Sequence, residues 1–196
     1  MKSFMKIFGI AFFLFSGSAG FSQTWKIDSS HSVAHFKVRH MLVTWVHGTI
    51  SGIEGSVTGD DKDVTKSKVT ASLNPSTINT NDAKRDEHLK SPDFLNVAKY
   101  PKMTFESKSV TGTVGQLKIA GTLTLNGVTK DVVLDVDGPT PPVKSPFGDN
   151  RRGLSAKTKI NRKDFNIVWN KAMDGGGVVV GDEVEITIDL QLSDKT

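Results

Sequence analysis

The chain has 196 residues, enough for one domain with a sizeable hydrophobic core. It contains no cysteine, which excludes disulfides, thiolate metal sites, a thiol nucleophile and a lipid anchor on an N-terminal cysteine. Its 25 Lys and Arg residues are interspersed with 21 Asp and Glu residues, so the formal net charge of +4 is spread along the chain. This distribution argues against a nucleic-acid-binding face, which needs clustered basic residues.

The first 23 residues have the layout of a secretory signal peptide. Two lysines precede a nine-residue apolar run, Ile7 to Phe15, and small residues follow it. The run is too short to span a bilayer, and no other run approaches the ~20 residues that a membrane helix needs. We predict cleavage between Ala19 and Gln23, a periplasmic or secreted protein, and a single mature domain over residues 24–196.

From Trp25 onward the dominant hydrophobic period is two, which is typical of half-buried strands. In the segment SVAHFKVRHM, Ala34, Phe36 and Val38 face one side and the polar residues between them face the other. The following segment, LVTWVHGTISGIEGSVTGDD, is aromatic and β-branched but is interrupted by glycines. Glycines inside a strand indicate bulges or sharp bends, such as those at the corners of a barrel.

One stretch departs from this pattern because its sequence favours a helix. Asn81 or Asp82 can serve as the N-cap, good helix formers follow from Ala83 to Lys90, and Ser91-Pro92 ends the helix. The next apolar residues, in the segment FLNV at 94–97, form an elbow before the following strand. We predict that helix and elbow lie over the mouth of a barrel; the alternative is a helix that only plugs a barrel end or covers a sheet edge.

The second half of the chain predicts further antiparallel strands. Two alternating segments flank Asn126-Gly127, the strongest short hairpin signal, because both residues accept the positive φ of a type I′ turn. Residues 138–152 contain four of the seven prolines and indicate a long exposed connection. A strand beginning at Leu154 is predicted to turn at Asn161-Arg162 and to continue to Trp169. After a glycine loop, the last strand alternates cleanly up to Leu192.

About eight alternating strands with turns between them permit either a β-sandwich or a closed barrel. The glycine-bent strands and the single inserted helix favour the barrel. We therefore predict an all-β fold, an antiparallel barrel of about eight strands with one short helix over its mouth. The interior of such a barrel is wide enough for packed side chains or for one small ligand.

Several blocks of the sequence resemble one known family. They are HSVAHFKVRH near the mature N-terminus, KRDEHLKSPDFLNVAKYPKMTFES in the middle, GTLTLNGVTKDVVLDV after it, and TKINRKDFNI with VGDEVEITIDL at the end. In this order they resemble the YceI-like family of exported lipid-binding proteins over essentially the whole mature chain. The resemblance implies a lipocalin-like barrel whose long apolar cavity holds a polyisoprenoid, an isoprenoid quinone or a fatty amide. It also implies a role in carrying or sequestering such lipids, without catalysis.

A lipid-sized cavity has a free-energy consequence that does not depend on the resemblance. An empty apolar cavity of ~500 Å³ would cost ~12 kcal/mol at ~24 cal/mol per Å³, comparable to the stability of a whole domain. A tail of about twenty buried methylene groups instead offers ~16 kcal/mol gross at ~0.8 kcal/mol each, before the costs of association. Such a barrel is therefore expected to collapse or to be filled by a long-chain amphiphile.

The inward apolar positions of this barrel are the predicted cavity wall. They are Phe36, Val38, Trp45, Phe105, Leu123, Leu134, Phe165, Trp169 and Ile186, with Phe94 and Leu95 at the elbow. The polar residues predicted as candidates to orient a headgroup are Arg39, His40, Arg85 and His88. For each wall residue the alternative is ordinary core packing. For Arg85 and His88 it is bracing of the helix through ion pairs or hydrogen bonds.

We expect one amphiphile to enter passively, tail inward, through the mouth beside the helix, and we expect no other cofactor. Loading would require the helix at 83–90, the elbow or the connection at 139–152 to move. The expected partners are the lipid and, transiently, a membrane surface, but not nucleic acid. For the oligomeric state, monomer and homodimer both stay open.

Two other classes of function compete with this prediction. Five histidines raise a metal-binding alternative, in which His31 and His35 share a strand face while His40 and His47 meet across a hairpin. Zinc needs three or four convergent and oriented ligands, so we predict no metal site. The chain lacks Gly-x-Ser-x-Gly and HExxH motifs, so no catalytic residue is predicted. A structural or stress-response barrel without a physiological lipid is the other alternative.

Overall fold

A computed structural model describes residues 23–60 and 62–195. The predicted signal peptide, apart from Gln23, lies outside these residues. The described strands are β1 (Gln23–Ile27), β2 (Val33–His40), β3 (Thr44–Ile50), β4 (Glu54–Asp60), β5 (Asp63–Leu73), β6 (Met103–Thr113), β7 (Gln116–Leu125), β8 (Val128–Asp137), β9 (Val143–Lys144), β10 (Asn150–Asn161) and β11 (Val180–Ser193). The α-helix, α1, spans Ala83–Lys90, and three 3-10 helices span Ser29–His31, Pro75–Thr77 and Arg162–Phe165.

The strands form one antiparallel sheet that closes into an eight-stranded barrel. The order around the ring is β1, β4, β5, β6, β7, β8, β10 and β11, and the ring is closed because β11 pairs with both β10 and β1. β2 pairs with β11 between Val180 and Asp189, β3 pairs with β2, and the short β9 pairs with the start of β10. The predicted all-β, antiparallel, lipocalin-like barrel is confirmed.

The strand β11 shows how alternation in the sequence becomes a barrel wall. Its register places Ile186 opposite Phe36 of β2 on one side and opposite Thr158 of β10 on the other, so these side chains share the inner face. The residue before it, Glu185, points outward, where its carboxylate lies 3.0 Å from the Lys37 ammonium and 3.4 Å from that of Lys159. Apolar positions therefore face the interior, while opposite charges pair across strands outside.

The helix forms where the sequence predicts it. The Asp82 side chain caps it by accepting a hydrogen bond from the Arg85 backbone N–H at 3.1 Å, and the helix ends at the cap residue Ser91. Its Leu89 and the elbow residues Phe94 and Leu95 pack against a buried cluster that includes Met103 at the start of β6. Helix and elbow thus cover one end of the barrel, called the helix end below. In the part of the chain that the structure describes, no helix has the length and apolar character to cross a membrane.

The second half of the chain confirms two predicted turns and corrects one predicted strand. Asn126 and Gly127 join β7 to β8 with φ values of 50° and 75°. The turn after Ile160 also forms, because the Asn161 side chain accepts a hydrogen bond from the Lys163 N–H at 3.0 Å. This cap starts a 3-10 helix, and the chain does not continue as a strand to Trp169 as predicted. The local capping bond overrides the apolar alternation.

Candidate functional site

An apolar cavity of about 280 Å³ lies inside the barrel. Alternate residues of the barrel strands and of β2 supply most of its wall: Ala34, Phe36, Val38, Val57, Val69, Ala71, Leu73, Met103, Phe105, Val110, Leu117, Ile119, Leu123, Leu125, Val132, Leu134, Val136, Leu154, Ala156, Ile160, Val184, Ile186, Ile188, Leu190 and Leu192. Leu89, Phe94 and Leu95 complete the wall at the helix end.

The size of this cavity has an energetic consequence. Kept empty, it would cost about 7 kcal/mol at ~24 cal/mol per Å³, a large share of the ~5–15 kcal/mol by which a domain is stable. An apolar cavity of roughly 150 Å³ already binds benzene. The interior is therefore suited to an apolar guest, and the gain from filling it is comparable to the stability of the fold.

Close packing shapes the wall at Phe36. Its ring lies over Gly48 of β3, where an added Cβ would come within 2.4 Å of Phe36 Cζ and 2.8 Å of Thr80 Cγ2. Only glycine fits beneath the ring, so one of the glycines that interrupt the strand pattern serves to hold an aromatic wall residue.

Most of the predicted wall residues border the cavity. The eight that do are Phe36, Val38, Phe94, Leu95, Phe105, Leu123, Leu134 and Ile186. Their contact with a ligand stays a prediction.

Trp45 is the clearest correction among the predicted wall residues. It pairs with Arg39 on the outer face of the hairpin, while its neighbour Val46 pairs with Val38 on the inner face. The Arg39 guanidinium carbon lies 4.1 Å, and the Lys37 ammonium 4.6 Å, from the centre of the Trp45 ring. Because both Trp45 and Val46 are apolar, a period of two could not decide which of them faces inward.

Two further predicted wall residues lie outside the cavity lining. Phe165, the last residue of the 3-10 helix that begins at Arg162, is only 2% exposed and packs in the core. Trp169 packs against the outside of a wall residue, with its ring centre 5.2 Å from that of Phe94 and 5.0 Å from that of His88. Both were predicted from a strand that the structure replaces with a 3-10 helix and a loop, so their inward alternation does not hold.

None of the four predicted headgroup candidates borders the cavity. Arg39 lies outside on Trp45, and His40 ends β2 opposite Thr44. Arg85 braces the approach to α1, because its Nε donates to Thr80 Oγ1 and its Nη2 to the Thr80 carbonyl, both at 2.7 Å. Arg85 therefore braces the helix, which was the alternative to headgroup binding considered for it from the sequence.

His88 also supports the helix end. Its Nε2 lies 2.9 Å from the Asp93 carboxylate, and its ring meets Phe94 edge to face with centres 5.0 Å apart. The imidazole thus holds the elbow against Trp169 and does not point into the interior.

Polar side chains also border the cavity, with Arg162 at the helix end and a second group at the end opposite α1, called the far end below. The second group includes Asp60 and Ser67 beside the turn between β4 and β5, and Arg152 of β10. The Arg152 guanidinium carbon lies 4.3 Å from the centre of the Trp25 ring. Arg152 was not among the predicted site residues, because the sequence placed it in the long connection between strands. The alternation of Leu154 and Ala156, extended back by one step of two residues, would have pointed it inward.

The far end is held together by carboxylates. Hydrogen bonds from Ser30 and His31 lower the pKa of Asp28 to about 2, and its carboxylate lies 3.2 Å from Arg151 Nη1. The buried Asp149 accepts hydrogen bonds from Ser145, Ser193 and Arg151, which hold its pKa well below the usual range. These contacts tie the start of β10 to the end of β11 and to β1.

The helix end contains a buried cation instead. Arg162 is only 3% exposed and donates hydrogen bonds to the carbonyls of Ile167 at 2.7 Å, Gly181 at 2.8 Å and Trp169 at 2.9 Å. Burial lowers its pKa, and the nearby Asp182 carboxylate opposes that shift. Arg162 therefore fastens the loop after β10 to the start of β11.

The histidines do not converge on a shared position. His31 pairs with Asp28 at 2.9 Å, and His35 lies 3.8 Å from Asp189 on the outer face. Within residues 23–60 and 62–195, no group of three or more His, Asp or Glu side chains could hold a metal ion.

An antiparallel eight-stranded barrel around an apolar cavity defines a class of small β-barrels with an internal chamber. A model of the YceI-like domain matches residues 25–192. The chain therefore belongs to the YceI-like family, which confirms the resemblance found in its sequence.

Similar proteins agree with this assignment. Protein YceI of Salmonella newport (strain SL254) is 40% identical over 173 residues, which cover 85% of this chain and 88% of that protein. The crystal structure of the Campylobacter jejuni YceI protein matches with a TM-score of 0.67 and 28% identity, over 81% of this chain and 90% of that one. A polyisoprenoid binding domain from Saccharophagus degradans shares the fold, with a TM-score of 0.59, 13% identity and coverage of 87% and 98%.

Proposed function

We propose that this protein is an exported lipid-binding protein that holds one long-chain amphiphile in its barrel and carries or sequesters it. The observation that carries the proposal is the cavity itself, whose wall is built almost entirely of apolar side chains. A polyisoprenoid, an isoprenoid quinone or a fatty amide has the apolar chain that such a wall would bind. The structural likeness to a polyisoprenoid binding domain supports the same class of ligand.

The proposal is of a binding protein without catalysis or a further cofactor. Each methylene group that leaves water for the cavity contributes about 0.8 kcal/mol, so a long tail is retained without polar contacts. Selectivity then depends on the length of the cavity and on the few polar side chains beside it. Export to the periplasm or the exterior is part of the proposal and is supported by the signal-peptide layout of residues 1–23.

The headgroup is proposed to lie at the far end, near Arg152. Asp60, Ser67 and Arg152 border the cavity there. At the helix end, Phe94 and Leu95 are apolar and buried, and the bordering cation, Arg162, already donates to backbone carbonyls. Entry beside α1 requires the elbow to move, because the side chains of Phe94 and Leu95 cover that end.

The experiment that tests the proposal is native purification followed by organic-solvent extraction and mass spectrometry of the extract. We expect one long-chain lipid per protein. A natively purified protein without extractable lipid would contradict the proposal.

A matched pair of variants tests whether the cavity is the binding site. Leu134→Arg places a charge on the inner face of β8 and is expected to abolish lipid retention or folding. Its neighbour Val133 is 48% exposed on the outer face, so Val133→Arg is expected to fold and to retain the lipid. A folded Leu134→Arg variant with unchanged lipid content would show that the ligand lies elsewhere.

A further inference from the structure

The tip of the hairpin between β2 and β3 exposes three consecutive bulky apolar side chains. Met41 is 41% exposed, Leu42 63% and Val43 75%. Single exposed apolar residues are common on protein surfaces, but contiguous ones mark interaction sites. This tip projects from the helix end, where the Met41 backbone N–H donates to the Val179 carbonyl at 2.8 Å.

The backbone conformation of the tip is unfavourable for the residues that occupy it. Met41 and Leu42 both have positive φ, 49° and 62°, and the Val43 N–H donates to the His40 carbonyl at 3.1 Å. The hairpin between β7 and β8 has the same sign of φ at its two central residues, but there they are Asn126 and Gly127. Met and Leu are unfavourable at positive φ, where Asn and Gly are preferred. Backbone strain of this kind is found mainly at functional sites, which indicates that Met41 and Leu42 serve a function and do not stabilise the fold.

The neighbours of the tip have the character of a membrane interface. Trp45 lies just after the tip on the outer face of β3, with the exposed Arg39 side chain over its ring. Lys171 is also exposed and lies near the tip. Its carbonyl accepts a hydrogen bond from the N–H of Val179 at 3.1 Å, and the carbonyl of Val179 accepts one from the N–H of Met41. Apolar side chains bordered by an amphipathic aromatic ring and by cations are typical of segments that lie at the surface of anionic bilayers.

We propose that this tip, Met41 to Val43, docks the helix end onto an anionic phospholipid surface. The inference rests on the proposed function, because a lipid carrier must meet the membrane that supplies or receives its cargo. The same strand, β2, carries Phe36 and Val38 of the cavity wall, so docking brings the entry beside α1 to the bilayer. A lipid headgroup lies at the membrane surface, so a lipid that enters headgroup first would end with its polar group near Arg152. This order replaces the tail-first entry expected from the sequence, because the headgroup is proposed to lie at the far end.

A bilayer fits the tip better than a second copy of the chain does. A stable protein interface buries roughly 800 Å² on each partner, far more than three side chains at a hairpin tip can supply. Insertion into a bilayer needs only a few apolar side chains together with nearby cations.

The test is flotation of the mature protein with vesicles of phosphatidylethanolamine and phosphatidylglycerol, compared with vesicles of phosphatidylcholine. The variant Met41→Asn with Leu42→Gly gives the tip the residues of the β7–β8 turn. We expect it to lower partitioning onto the anionic vesicles about tenfold or more, with a thermal midpoint equal to or above that of the wild type. Val114→Ser is the matched control, because Val114 is 56% exposed in the β6–β7 turn at the far end, and it is expected to float like the wild type.

Three results would overturn the inference. They are a wild-type protein that does not float with anionic vesicles, an Asn-Gly variant that floats as well as the wild type, and equal flotation with both vesicle types. Sedimentation in the absence of vesicles tests the alternative, in which a second copy of the chain binds the tip. A dimer formed by the wild type but not by the Asn-Gly variant would assign the tip to that second copy. Solvent extraction of the same samples separates the two proposals: lipid-loaded protein that fails to float removes only membrane docking, whereas protein without lipid removes the proposed function.

Discussion

The two ends of the barrel are closed by different chemistry. At the helix end, the buried Phe94, Leu95 and Phe165 pack together, and a buried cation, Arg162, binds backbone carbonyls. At the far end, carboxylates bind hydroxyls and guanidinium groups, and polar side chains border the cavity. The helix end is therefore closed by apolar packing around one cation that main-chain carbonyls bind, whereas the far end is closed by an ionic network of side chains.

This asymmetry suits a guest that is itself asymmetric. An amphiphile has an apolar tail and one polar group, and each end of the cavity matches one of them. The stability of the two ends should also respond to different perturbations, because packing and buried hydrogen bonds depend little on pH whereas carboxylates titrate.

The largest effect is expected from removing the buried cation at the helix end. Arg162→Met leaves the carbonyls of Ile167, Trp169 and Gly181 without their donor, which should lower the free energy of unfolding by about 3–5 kcal/mol. Urea denaturation measures this loss. Lys163→Met is the control, because Lys163 is an exposed neighbour that also pairs with Asp182, and about 1 kcal/mol or less is expected. Equal midpoints for the two variants would contradict the role of Arg162.

A smaller effect is expected from acid at the far end. The pKa of Asp28 in the folded protein is lowered to about 2, against about 3.9 for an unperturbed aspartate. A lowered folded-state pKa means that Asp28 stabilises the fold above about pH 4 and that this contribution is lost as the pH falls towards 2. Asp28→Asn should therefore reduce stability by up to about 2 kcal/mol at neutral pH. The gap between wild type and variant should narrow below about pH 4.

Urea denaturation across this pH range measures the gap. Asp131→Asn is the control, because Asp131 is 77% exposed on the outer face of β8 and pairs with Lys108. A gap between wild type and Asp28→Asn that stays constant from pH 7 to 2 would show that Asp28 does not contribute through its charge.

The smallest effect on stability, and the most informative one for the ligand, is expected at Arg152. Arg152→Gln removes the cation over the Trp25 ring, a contact that contributes about 1 kcal/mol. The lipids extracted from the variant should shift in headgroup composition and keep their chain length. Mass spectrometry of the extracts checks both. Lys118→Gln, an exposed cation on the outer face of β7 that pairs with Asp135, should leave the lipid profile unchanged. An identical profile for Arg152→Gln would remove Arg152 as a headgroup contact.

Much of the fold could be predicted from local sequence because the signals were local. The Asp82 cap, the helix up to Lys90 and the Asn126-Gly127 turn depend on residues within a few positions of one another. Alternation over long strands also predicted six of the residues that border the cavity, since a strand with one polar face has only one way to point: Phe36, Val38, Phe105, Leu123, Leu134 and Ile186.

The contacts of the four headgroup candidates could not be predicted from local sequence. Arg39, His40, Arg85 and His88 were chosen for their charge and their position near the predicted mouth. The structure binds Arg85 and His88 into local braces and leaves Arg39 outside. A polar side chain finds its partners through tertiary neighbours, which local sequence does not contain.

Hydrophobic period and backbone preferences within short segments were enough to predict the barrel class, the α-helix and the Asn126-Gly127 turn. The outward position of Trp45 follows only from strand pairing, because two adjacent apolar residues leave the inner face ambiguous until Val46 is paired with Val38. Only ring closure, in which β11 joins β10 to β1, brings Arg152 over Trp25 and gives the cavity a polar end. Those two residues are far apart in the chain, and no local preference links them.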